Sequence, residues 1–316
     1  MPARRRLAAL AAVLAATALA ACGDGDGPRS QSGLTVAVTT TQLGDLARAV
    51  AGRRAGVEQI LDPRSDPHAY EPRPSDLRAV ARARVVVRSG GDLDAWLGDV
   101  LRGAGSHART VTVIDHVRAR RADGEADPHW WQDPRNAAIA VALIRDALIA
   151  ADPPGRAAYA ARARSYLARL RALDGAIAAC MRALPRRERR LVTDHDALGY
   201  YAERYGIDVI GTVIPALSTQ AQASGGEVAR LVRTIRAAGV SQIFPERAVN
   251  AKLTEAIARE AGASVGPGLY ADSLGVKGSA GATYLGSLRA NTLALVRGFS
   301  GGRARCALPA EPAAQL

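Results

Sequence analysis

The chain holds five histidines in 316 residues: His68, His107, His116, His129 and His195. Two of them close the same tripeptide, Asp66-Pro67-His68 and Asp127-Pro128-His129, and a third lies between carboxylates in Asp194-His195-Asp196. A neutral imidazole is a borderline-soft nitrogen donor, a carboxylate beside it can hold the second ring nitrogen, and proline stiffens the loop that presents it. An isolated histidine on a surface carries no such meaning. These three each follow a predicted strand, where open α/β sheets place their ligands, and together they point to a divalent transition metal. Three such ligands plus a bound water would make a secreted zinc hydrolase, so an enzyme stands as one alternative.

The elements that must position these loops alternate along the chain. Runs at 34–39, 57–61, 84–88 and 110–114 read as buried strands, with helical spacing at 43–51 and 75–83 between them. The second half repeats the scheme, with strands at 190–193, 208–214, 242–244 and 263–265 and helices at 197–205, 227–238, 251–261 and 282–297. This order predicts an α/β fold of two lobes, each a parallel sheet flanked by helices, with a metal cleft between them. Asp152-Pro153 offers a cap and a first-turn proline for one long helix that runs to Leu184, before Pro185. Its stripe of Tyr159, Tyr166, Leu170, Leu173, Ile177, Cys180 and Leu184 would face both lobes, so the helix should act as a rigid brace. The expected organisation is a secretory signal at 1–21, a flexible tether at 22–33, a first lobe at 34–152, the linking helix at 153–185 and a second lobe at 186–316.

The signal rests on Arg4, Arg5 and Arg6 followed by an apolar run of roughly 15 residues, too short to span a bilayer. It ends in Leu19-Ala20-Ala21-Cys22-Gly23, which resembles the lipobox of bacterial lipoproteins and makes Cys22 the expected lipid anchor to the outer face of a membrane. Once Cys22 is lipidated, Cys180 and Cys306 remain; an exported pair can form a disulfide, and the same residues can equally serve as small apolar core groups. The net charge is +12, and Arg4, Arg5 and Arg6 contribute three of it. The other arginines are spread along helices in an alanine-rich composition, so the charge implies no nucleic-acid partner.

Four segments together resemble the zinc- and manganese-binding solute receptors of ABC transporters, the family that includes adhesin-like metal-binding lipoproteins. They are Asp66-Pro-His-Ala-Tyr-Glu-Pro-Arg-Pro-Ser-Asp76, Asp127-Pro-His-Trp-Trp-Gln-Asp-Pro-Arg-Asn136, His195-Asp-Ala-Leu-Gly-Tyr-Tyr-Ala-Glu-Arg-Tyr-Gly206 and Gln242-Ile-Phe-Pro-Glu246. The resemblance covers nearly the whole mature chain. It implies a monomeric receptor without catalysis that hands its metal to an ABC transporter permease, with a manganese or iron receptor, or a surface adhesin, as alternatives. It also implies a fourth ligand, Asp272 in Leu269-Tyr-Ala-Asp-Ser-Leu-Gly275, and a supporting or gating role for Glu246. His107 and His116 match no family ligand and read as surface residues.

Two departures stand out. The stretch at 116–127 is short and lacks the His- and acid-rich loop of many zinc receptors, and 219–226 replaces a segment that is commonly acidic. Three imidazoles and one carboxylate favour Zn2+, with Mn2+ as the alternative, because manganese receptors of the family often carry a carboxylate where His195 stands. Imidazoles must be neutral to bind, so affinity should weaken as pH falls through the ordinary histidine range near ~6.5.

Overall fold

A computed structural model describes residues 31–310, apart from 64 and 123. Cys22, the signal segment and most of the tether therefore lie outside the described residues. The elements of the first half are β1 (Thr35–Val38), α1 (Thr41–Ala51), β2 (Gly56–Gln59), α2 (Pro74–Arg82), β3 (Val85–Arg88), α3 (Leu97–Gly103), β4 (Arg109–Thr112), β5 (Arg121–Ala122), β6 (Glu125–Ala126) and α4 (Pro134–Ala151). Strands β1 to β4 form one parallel sheet in the order β2-β1-β3-β4, in register Val36 with Val57 and Val85, and Val85 with Arg109. Residues Val85, Val86 and Val87 are all buried, as strands covered on both faces require. The β5–β6 pair is a small antiparallel hairpin in the stretch that leads to His129.

Next comes α5 (Arg156–Arg182), followed by β7 (Arg190–Thr193), α6 (Gly199–Tyr205), β8 (Asp208–Thr212), α7 (Gly225–Ala238), β9 (Gln242–Ile243), α8 (Lys252–Ala261), β10 (Ser264–Val265) and α9 (Tyr284–Phe299). Strands β7 and β8 pair in parallel, as do β9 and β10, and a parallel bridge between Thr193 and Phe244 joins the two pairs. In both halves the loops that carry the candidate ligands follow the C-terminal ends of strands. Every strand and helix named from the sequence is present, with ends that differ by no more than two residues except at the start of the long linking helix.

Helix α5 has 27 residues, about 40 Å at 1.5 Å per residue. It starts at Arg156, later than expected, because the Asp152 carboxylate does not cap it. That carboxylate instead accepts from Arg54 Nε at 2.5 Å and from the Tyr159 hydroxyl at 2.7 Å. The expected stripe is buried except at Cys180, whose neighbour Met181 takes the core position. Cys180 is half-buried and forms a disulfide with Cys306, with the two Cα atoms 5.4 Å apart. Gln31 and Ser32, read above as the end of the tether, are not free: their N–H groups donate to the carbonyls of Arg53 and Arg54 at 3.2 and 3.1 Å.

The 18-residue α4 is a second long helix alongside α5 that was not expected from the residue pattern. It packs on the first sheet, α1 and α5 through Ala137, Ala140, Val141, Ile144, Ala147 and Leu148, but its half-buried outer face also carries Ile139, Leu143 and Ile149, so no polar stripe marks a period of 3.6. One hydrophobic core runs from Val36 and Leu46 through Ile144, Tyr166 and Ile177 to Leu288 and Val296. Both halves therefore share a core with α5 at its centre, while smaller clusters under α2 and α3 and under α7 and α8 close the outer faces.

Candidate metal centre

His68 sits on a single 3-10 turn, Pro67–Ala69, that follows β2. The turn is capped by Asp66, whose Oδ1 accepts from the His68 backbone N–H at 2.9 Å. His129 precedes a second such turn, Trp130–Gln132, and is fully buried. Its Nδ1 lies 2.7 Å from Asp127 Oδ1, and the other Asp127 oxygen is 2.8 Å from Arg120 Nη1. Nδ1 is thus the protonated nitrogen, which leaves Nε2 as a donor facing inward. Burial alone would raise the Asp127 pKa, but the bonds from His129 and Arg120 outweigh it and hold the carboxyl below its usual range.

His195 follows β7, and its Nδ1 lies 3.3 Å from Glu246 Oε2. The other Glu246 oxygen accepts from the Asp272 N–H at 2.8 Å. Glu246 is in turn fixed by its own N–H, which donates to Asp194 Oδ2 at 2.6 Å, while the Thr254 hydroxyl holds the second Asp194 oxygen. The loop carrying Asp272 is clamped onto the first lobe. The Asp272 carbonyl accepts from Gln42 Nε2 at 2.9 Å, and the Ala271 carbonyl accepts from Trp131 Nε1 and Gln132 Nε2 at 2.9 and 2.8 Å.

These supports bring all four candidate ligands expected from the sequence to one point. The imidazole centroids of His68, His129 and His195 form a nearly equilateral triangle with sides of 5.3, 5.5 and 5.3 Å. Asp272 Oδ2 lies 3.3 Å from His68 Nε2 and 3.1 Å from His195 Nε2, and Asp272 Oδ1 lies 3.3 Å from His129 Nε2. One donor atom from each of the four residues falls within 4.8 Å of every other. Donors at 2.0–2.1 Å from the centre of a tetrahedron are about 3.3 Å apart, so the spacing suits a small tetrahedral cation. His195 Nε2, both Asp272 oxygens and Glu246 Oε2 are buried without a hydrogen bond of good geometry. Leaving such atoms unpaired costs roughly 1–3 kcal/mol each, which a cation would offset.

The electrostatics follow from this crowding. Burial would lower the His195 pKa, but the Asp272 and Glu246 carboxylates outweigh it and raise the group to about 9. Burial would raise Asp272, yet His195 and His129 hold it well below the carboxylate range. Glu246 is pushed well above that range by burial and then by Asp272. His107 and His116 are exposed and take no part in the cluster. Sequence reasoning did not find Arg120, Asp194, Gln42 or Trp131 as supports, nor the contacts of the 219–226 segment. Thr219 Oγ1 donates to Asp66 Oδ2 at 2.7 Å, and the Gln220 amide donates to the His68 carbonyl.

Residues 36–298 match the family described as zinc-uptake complex component A, periplasmic. The chain belongs to this family. As a zinc-uptake-component-A protein it is a transport-system binding component and not an enzyme, which sets aside the hydrolase alternative. It is 32% identical over 286 residues to the manganese-binding lipoprotein MntA of Halalkalibacterium halodurans, covering 89% of this chain and 94% of that one. It is 28% identical over 301 residues to the iron-binding protein YfeA of Yersinia pestis, covering 93% and 96%. Among solved structures, the periplasmic zinc binding protein TroA of Treponema pallidum superposes with a TM-score of 0.80 at 24% identity, covering 84% of this chain and 99% of that one. The two-lobed architecture joined by a long helix is thus that of the family.

Proposed function

We propose that this protein is an extracytoplasmic receptor, anchored by a lipid on Cys22, that captures one divalent transition metal ion and delivers it to the permease of an ABC importer. The ligands are His68, His129, His195 and Asp272, and zinc is the favoured cargo. The observation that carries this reading is the convergence of four buried donors, spaced like the vertices of a small tetrahedron, from loops of both lobes. Neutral imidazoles with one carboxylate form a borderline-soft set that zinc satisfies at four-coordination. The lipid anchor is supported by the motif at Cys22 and by the lipoprotein names of relatives, while no helix among the described residues is long and apolar enough to cross a membrane.

A second reading, a manganese receptor, has its own support. Both Asp272 oxygens face the imidazoles, so a bidentate carboxylate would add a fifth donor and an oxygen-richer shell that a larger ion prefers. The relative from Halalkalibacterium halodurans is named for manganese. Elemental analysis of protein purified without added metal, followed by zinc and manganese competition, separates the readings. Zinc at one equivalent that manganese excess does not displace supports the first; preferential manganese retention supports the second. Protein that takes up neither ion would overturn both.

A further inference from the structure

Three of the four ligands are built into fixed structure, and one is not. His129, His195 and Asp272 are at most 2% exposed, and each is held by buried partners within its own lobe or by the clamped 271–274 loop. His68 lies at the rim on residues 65–70. Among the described residues, and apart from bonds local to that stretch and the contact of His68 Nε2 with His129 Nε2 at 3.2 Å inside the site, residues 65–69 are held by three hydrogen bonds, and all three come from the second lobe. Ser273 Oγ donates to the Ser65 carbonyl at 2.9 Å, Thr219 Oγ1 to Asp66 Oδ2 at 2.7 Å, and the Gln220 amide to the His68 carbonyl.

The segment that supplies two of these bonds is also tied to the opposite ligand. Its base donates the Ile214 N–H to the Asp194 carbonyl at 2.6 Å, and the Ala216 carbonyl accepts from the Asp196 N–H at 3.0 Å. One strap therefore grips the chain on both sides of His195 with its backbone and holds the His68 turn with two side chains. Thr219 is half-buried and Gln220 exposed, so these bonds can break without disturbing the core.

We infer that the His68 turn is the moving part of the centre and that Thr219 and Gln220 latch it, setting how fast the cargo leaves. This rests on the reading of the four residues as the cargo site. A bound ion shielded by three fixed ligands departs only when His68 swings out, and that swing breaks both latch bonds. Since the latch forms around the empty site as well, loosening it speeds uptake and release together and changes equilibrium affinity less than either rate.

The test loads the purified full chain with one equivalent of zinc and follows release into excess chromogenic chelator by stopped flow. A net hydrogen bond is worth roughly a factor of 2–10, so Thr219→Val with Gln220→Ala is expected to release zinc roughly 5–100-fold faster. Thr219→Ser keeps the hydroxyl and should release at nearly the wild-type rate, which separates the latch bond from loss of local packing. An unchanged rate in the double variant overturns the latch, as does a Thr219→Ser protein that releases as fast as Thr219→Val. A wild-type chain that takes up no zinc overturns the site itself and the latch with it.

Discussion

The two Asp-Pro-His triplets are chemically identical, yet the fold uses their carboxylates in opposite ways. In both, the aspartate accepts from the backbone N–H of the histidine two residues on, at 2.9 Å. Asp127 then turns inward, holds His129 Nδ1 and is neutralised by Arg120. Asp66 turns outward and accepts from Thr219 on the other lobe. The difference comes from what lies behind each loop. Arg120 belongs to a network with Asp196, Glu203 and Tyr200 that welds the His129 loop to the second lobe. Behind Asp66, among the described residues, lies the half-buried strap that carries Thr219. The same three residues thus give one immobile ligand and one at the rim, and a receptor needs both: a fixed frame to select the ion and a movable member to admit it.

The comparison is broken most directly at its ligands. His129→Ala removes a buried donor and leaves Asp127 and Arg120 facing a cavity, so zinc affinity by isothermal titration should fall by well over 100-fold. The supporting carboxylates should then differ. Asp127→Ala strips His129 of the partner that fixes its tautomer, and affinity should drop roughly 10–100-fold. Asp66→Ala loses a turn cap and a latch bond but leaves the imidazole chemistry alone, and equilibrium affinity should change by less than about threefold. Equal losses at the two positions would mean that the triplets play one role after all.

Acidity sharpens the same contrast. In the empty site His195 holds its proton up to about 9, above its ordinary 6.5, chiefly because the Asp272 carboxylate faces it and outweighs the opposing effect of burial. That proton stabilises the empty fold fully below about 6.5, and the contribution is lost as pH rises through about 9. Cargo has to displace it, so apparent zinc affinity should climb by up to about tenfold per pH unit between 7 and 9. The sequence alone placed this window near the ordinary histidine value. A titration series whose affinity is flat above pH 7 would count against a proton held on His195 by the Asp272 carboxylate.

What the sequence disclosed, and what it withheld, follows physical lines. The strands were legible because buried parallel strands are continuous β-branched runs, and the histidines were legible because five are few enough for position to matter. Asp272 and Glu246 are two among thirty carboxylates and emerged only through family resemblance. Helix α4 was hidden because its outer face carries Ala138, Ile139, Leu143 and Ile149 beside few polar residues, so composition does not mark the face that the fold leaves half-buried. The clamps from Gln42 and Trp131 to the 271–274 loop join residues more than a hundred positions apart and exist only once both lobes have docked. The start of α5 went astray because Asp152 has a choice of partners, and Arg54 is invisible to local capping rules.

The smallest expected effect at the site comes from the covalent cross-link between α5 and the C-terminal tail. The Cys180–Cys306 disulfide closes a separation of 126 residues and ties the C-terminal tail to α5. Ala304, Cys306 and Leu308 pack on the shared core, on the helix that braces both lobes, whereas no site ligand lies on α5 or on the tail. Cross-links of this kind act mainly on the unfolded chain and commonly contribute about 2–4 kcal/mol. The paired change of Cys180→Ala with Cys306→Ala should therefore lower the denaturant midpoint of the empty protein while zinc affinity and release rate stay within about twofold. If affinity fell with the midpoint, α5 would be transmitting strain to the ligand loops, and the frame around His129, His195 and Asp272 would be less rigid than its buried hydrogen bonds imply.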